Sequence, residues 1–297
     1  MKSWQNLMLL GIAPALAFGH PGEPLEPHDL WRAWSFDPGI LIPLAITGVL
    51  YARGARPSRG VSARKLLFFW SGWLVLVISL LSPLHSLGEV LFSAHMTQHE
   101  MLMLIAAPLL VLARPLVPIL WGLPLRSRKA LGQCSKGTLV QRSWNAITNP
   151  FTAWWIQAAV LWLWHAPSLF QATLENGWIH AAQHISFLGS ALLFWWSLFY
   201  ARGRSSYGAG FLYVFTTAIH TSILGALLTF ARTVWYPAYA ATTRTWGLTP
   251  LEHQQVGGLI MWIPAGMVYL GAGLALFILW LRESDVMASA NWSRHAQ

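Results

Sequence analysis

Residues 88–113 read GEVLFSAHMTQHEMLMLIAAPLLVLA. Their second half, from Met101 to Ala113, carries no charge. At ~1.5 Å of rise per residue, a helix over this stretch crosses a hydrocarbon core about 30 Å thick. Two histidines, His95 and His99, lie inside it at spacing i and i+4. Imidazole is costly in hydrocarbon, so intramembrane histidines face a partner, a proton path or a metal.

The rest of the chain agrees with an all-α integral membrane protein. Of its 297 residues 55% are hydrophobic and only 10% are charged, too little polar surface for a soluble domain of this size. Mean hydropathy is +0.48. Residues 1–17 read as a cleavable signal, with Lys2, an apolar run from Leu7 to Leu16, and the small-residue pattern Ala15-Leu16-Ala17. The other reading is an anchor extending to Phe18. Residues 18–297 form one polytopic domain with seven predicted spans, near 38–53, 65–83, 88–113, 150–171, 177–200, 208–231 and 253–281. No internal repeat supports an inverted-repeat transporter architecture.

The formal charge of +9 could suggest nucleic acid, but the basic residues sit in short loops between spans and act as topology signals. With the mature N-terminus outside and the C-terminus inside, 15 of the 19 lysines and arginines are inner, and Arg32, Arg232 and Arg244 are outer. The positive-inside rule selects that orientation. It makes the stretch from Arg126 to Asn149 a polar inner loop. It also places ten of the eleven histidines toward the outer side, six of them within spans. These are His95, His99, His165, His180, His184 and His220. His95 and His99 fall roughly 10 and 16 Å along a helix beginning near Gly88, and His165 about two turns from the outer end of its own. His85 and His253 fall at the outer rim.

His95-Met-Thr-Gln-His99 and His180-Ala-Ala-Gln-His184 each place two imidazoles on one helix face, able to grip one ion. Neither pair has the glutamate of the zinc-protease pattern. Four nitrogens from two facing helices suit copper or zinc. Met96, Met101 and Met103 offer soft thioethers that tilt the choice toward Cu(I), although methionine also fills gaps. A single buried histidine such as His165 or His220, taken alone, is more often a helix-to-helix hydrogen bonder than a ligand. Glu100 is either a partner orienting an imidazole or a protonated residue in the core. The one cysteine, Cys134, forms no CxxC motif.

These blocks resemble the CtaG-type cytochrome c oxidase assembly factors, a bacterial membrane family. The resemblance rests on His95 to His99 with Ala107-Pro-Leu-Leu110 and Arg114-Pro115. It continues through Leu161-Trp-Leu-Trp-His165-Ala-Pro167, His180 to His184, Phe194-Trp-Trp196, His220 and Glu252-His-Gln-Gln-Val-Gly-Gly-Leu-Ile-Met-Trp262. It covers about Glu89 to Tyr269 and departs at His253, where the family pattern carries Asp, so His253 stays outside the expected site. The resemblance implies a bacterial inner-membrane factor that helps copper reach the oxidase catalytic subunit, loaded by a periplasmic copper donor and not itself a catalyst. A b-type haem electron carrier, with axial histidines on facing helices, is the alternative. A copper transporter would need polar residues through the inner halves of the spans, where Leu, Ala, Phe and Trp dominate.

Overall fold

The computed structural model describes residues 25–200 and 207–295. The expected signal segment, 1–17, lies outside them. The described residues are helical, with no strand among them. In chain order the helices are α1 (Pro38–Gly54), α2 (Ala63–Leu81), α3 (Pro83–Val90), α4 (Phe92–Glu100), a π-helical segment (Met101–Ala106), α5 (Ala107–Ala113) and α6 (Leu116–Gly122). They continue as α7 (Leu125–Cys134), α8 (Thr138–Ile147), α9 (Pro150–Trp164), α10 (Pro167–Glu175), α11 (Gly177–Tyr200), α12 (Tyr207–Thr229) and α13 (Pro250–His295). Among the described residues, four helical stretches are long and apolar enough to cross a membrane: Ala63–Leu81, Phe92–Ala113, Tyr207–Thr229 and Pro250–Glu283. α11 is long enough at 24 residues, but its histidines, glutamine and serines dilute its hydropathy. α1 is apolar but has 17 residues.

Local chemistry sets the boundaries. Proline opens α1, α3, α9, α10 and α13, where its missing N–H leaves no helical bond unmade. Asp37, Ser82 and Asn149 cap the first three by accepting backbone N–H bonds. At α13 a capping box closes the turn, with Glu252 accepting from Thr249 N at 2.7 Å and Thr249 Oγ1 accepting from Glu252 N.

Three sequence expectations are corrected here. The span expected over 88–113 breaks at Leu91, whose extended backbone (φ −132°, ψ 121°) separates α3 from α4. His95 therefore lies three residues into its helix, not about two turns. The span expected over 150–171 ends at Trp164, because Pro167 drives Ala166 into an extended conformation. His165 sits at that break. The stretch from Arg126 to Asn149 is not a loop but mostly the pair α7 and α8. The apolar residues of these two helices, Leu125, Leu131, Leu139, Val140 and Trp144, stay exposed, the pattern of helices lying along a membrane surface.

The stretch Phe92–Ala113 is the central pillar, with 67% of its apolar window buried against 17% for that of α13. α4 packs on α3 and α13, and α5 on α2 and α11. Pro108 has no N–H to return to the Leu104 carbonyl, and the wider π-turn falls just before it. There the Met103 carbonyl accepts instead from the Trp195 indole N–H of α11, at 2.9 Å. The crossing of α12 and α13 is equally close. A Cβ added at Gly225 would lie 2.9 Å from Trp262 Cβ, so only glycine fits.

Candidate metal centre

The two histidine pairs meet. On α4 the rings of His95 and His99 lie 4.5 Å apart, and on α11 those of His180 and His184 lie 4.4 Å apart, one turn along each helix. Across the helix interface the separations are 5.2 Å for His95–His180, 5.8 Å for His95–His184 and 5.5 Å for His99–His184. All four residues are buried. His95, His180 and His184 each offer a nitrogen within 4.8 Å of the others. Nitrogens sharing one ion at about 2 Å each stand at most about 4 Å apart. Side-chain rotations that bring the set in by about an ångström therefore suffice to close it on a cation.

Hydrogen bonds prepare the rings rather than saturate them. His95 Nδ1 is 3.2 Å from the Gly88 carbonyl, which can only accept, so Nδ1 carries the proton and Nε2 the lone pair. Ligating histidines commonly donate their second ring N–H to a backbone carbonyl in this way. Tyr239 reinforces the arrangement, donating to the Gly88 carbonyl at 2.9 Å with its hydroxyl 3.2 Å from His95 Nδ1. Burial holds the Tyr239 phenol far above its ordinary range, so it stays a proton donor. Gly88 itself matters for reach, since a Cβ there would lie 2.8 Å from Gln98 Oε1.

Four buried imidazole nitrogens at this junction have no hydrogen-bond partner among the described residues: both of His99, Nε2 of His180 and Nε2 of His184. Gln183 places Oε1 3.1 Å from His95 Nε2 while its own Nε2 is unpartnered. Turning the amide over lets it donate to that lone pair while no ion is bound, and leaves Oε1 in the unpartnered place.

His165 belongs to the same group. It lies 6.2 Å from His99, ring to ring, and its Nδ1 is 2.7 Å from the Leu161 carbonyl. Its Nε2 is 3.4 Å from Met96 Sδ. Met101 and Met103 have no comparable placement; Met103 is part of the apolar core. Glu100 is buried, with Oε2 unpartnered, and among the described residues no hydrogen bond joins it to an imidazole. Of its two sequence readings, this geometry fits the core residue.

His220 does not join. It lies on α12 and faces Trp154 of α9 at 5.2 Å, with both ring nitrogens unpartnered. His253 also stands apart, its Nδ1 3.0 Å from Ser93 Oγ.

Sequence reasoning missed His85, which it placed at the rim. The break at Leu91 folds α3 back, and His85 stacks on His180 at 5.5 Å and stands 6.1 Å from His184. Gln98 donates to its Nδ1 at 3.0 Å. Burial pulls His85 below the ordinary imidazole range, opposed by the charge of Asp37. A signal for the glutamines was present, because both pairs share the fuller pattern His-x-x-Gln-His. Gln98 serves His85, and Gln183 serves His95.

Comparison with known proteins places this architecture. The chain is 26% identical over 274 residues to proteins of Mycobacterium bovis and Mycobacterium tuberculosis, covering 89% of this chain and 41% of each relative. A Mycobacterium leprae protein is 24% identical over 290 residues, covering 92% of this chain and 43% of the relative. The chain thus spans about two fifths of the length of the curated relatives it matches. No solved structure matches it. The model of the cytochrome c oxidase caa3 assembly factor family matches residues 49–283, a stretch that contains every histidine of the cluster, and the chain belongs to that family.

Proposed function

We propose that this membrane protein binds copper as Cu(I) through His95, His99, His165, His180 and His184, and delivers it to the catalytic subunit of cytochrome c oxidase during assembly. The observation that carries the reading is the convergence of buried imidazole nitrogens that lack hydrogen-bond partners. Leaving such groups unpaired costs about 1–3 kcal/mol each, a penalty that a bound cation relieves. Family membership supports the oxidase, and the imidazole and thioether donors support copper. His220 has no part in this site.

The chemistry suits transfer. Cys134 is exposed on α7, and imidazole with thioether holds Cu(I) less tightly than a thiolate cage. On this reading the cluster lies toward the periplasmic side of a bacterial inner membrane, where a copper donor loads it, and the asymmetry of basic residues supports that orientation. The protein on this reading is a metallochaperone, not a catalyst. Ring contacts favour a bare ion over haem. Phe187 touches His99 at 4.4 Å and Phe170 touches His95 at 5.0 Å, so a macrocycle would have to displace both.

Deleting the protein should leave the oxidase subunits made but copper-deficient at the catalytic centre. Full copper and normal activity in oxidase from the deletion strain would refute delivery. A strong Soret band in the purified protein would favour haem instead.

A further inference from the structure

Within the histidine cluster, His165 and Met96 stand in a relation that hydrogen bonding does not explain. The Leu161 carbonyl, 2.7 Å from His165 Nδ1, can only accept, so Nδ1 bears the proton. In a neutral ring Nε2 is then a bare lone pair, and a doubly protonated ring is disfavoured at a site 3% exposed. That lone pair points at Met96 Sδ from 3.4 Å. A thioether has no proton to offer. Two electron-pair donors thus face each other in the interior, with nothing to gain from each other except through a shared cation.

His99 completes the surroundings. Both its ring nitrogens are unpartnered and it is 1% exposed. Its ring lies 6.2 Å from that of His165 on one side and 5.5 Å from that of His184 on the other. The nitrogens of His95, His180 and His184 form a grouping of their own, and the contact of Met96 Sδ is to His165, outside that trio.

We infer that the cluster contains two ion positions, and that Met96 Sδ, His165 Nε2 and His99 form the second, a site selective for a soft monovalent cation such as Cu(I). The inference rests on the copper reading above and deepens it. A thioether selects Cu(I) over Zn(II), whereas three imidazoles accept either. His99 neighbours both positions, so an ion passes between them by exchanging one ligand at a time without leaving the protein interior. Met96 is then a ligand and not only a gap-filling side chain.

The test loads the purified full-length protein with Cu(I) under anaerobic reducing conditions. It counts bound copper against a chromophoric Cu(I) chelator and records X-ray absorption at the copper edge. Wild type should hold two Cu(I) per chain and show a sulfur neighbour. Met96→Leu conserves side-chain volume and should fold. It should hold one Cu(I) with only nitrogen neighbours and bind Zn(II) as wild type does. His184→Ala should keep the sulfur signal and lose the other ion. Copper bound by nitrogen alone in wild type, or a sulfur signal and stoichiometry unchanged in Met96→Leu, would overturn the second position and leave the copper reading standing. Failure of wild type to bind Cu(I) at all would overturn both.

Discussion

The cluster between α4 and α11 and the solitary His220 on α12 use one residue type in two apolar settings. In the cluster each imidazole has another within 4.4 to 6.2 Å, and backbone carbonyls hold His95 and His165 with a lone pair facing inward. His220 has Trp154 at 5.2 Å, and no imidazole contact is found for it among the described residues. Both places bury nitrogens without partners. What separates a candidate ligand from a buried histidine is therefore company at ligand distance, not burial. Two helices carrying imidazoles at i and i+4 and facing each other supply that company, and a lone imidazole against an indole does not.

The strongest way to break this contrast is to empty one helix. Replacing His180 and His184 together by alanine should remove the ion shared between the two helices, leaving only the copper held by Met96, His165 and His99, and abolish oxidase activity, while the protein still inserts. Metal analysis and respiration measured on the same membranes check both. Retention of most of the copper would show that α4 binds it alone.

Effects one shell out should be smaller. Tyr239→Phe removes the hydroxyl that donates to the Gly88 carbonyl beside His95, and should weaken Cu(I) affinity about 10–100-fold without altering stoichiometry. A chelator titration reads this. An unchanged affinity would mean that the carbonyl alone holds the ring.

On the α12 side, perturbation should affect stability and spare metal. Gly225→Ala forces a Cβ against Trp262 and should lower stability by about 1–3 kcal/mol. Denaturation in detergent measures that loss, and Cu(I) affinity should hold. Smallest of all, His220→Leu should leave metal binding and oxidase assembly within about twofold, because the site shares no partner with the cluster among the described residues. A large loss of copper in that variant would erase the distinction between the two places.

The sequence made part of this contrast legible. Spacing alone put His95 with His99 and His180 with His184, because helical periodicity needs no tertiary information. The membrane class followed from composition. Other features depend on where helices break. Leu91 ends α3, and that bend, invisible in an apolar run, brings His85 against His180. Pro167 is visible in sequence, yet only its effect on Ala166 leaves His165 at a helix end beside Met96. His220 looked like its neighbours because depth along a helix says nothing about which face meets which partner. The amphipathic pair α7 and α8 reads as a polar loop when basic residues are counted and as helices when apolar spacing is followed.

The central claim is that histidines from α4 and α11 hold one ion in common. A double-mutant cycle on Cu(I) affinity, with His95→Ala, His184→Ala and both together, tests it most directly. A shared ion predicts that each single change removes most of the affinity for that ion and that the pair adds little, with a coupling of at least about 1 kcal/mol. Losses that simply add, with no coupling between the two helices, would contradict it.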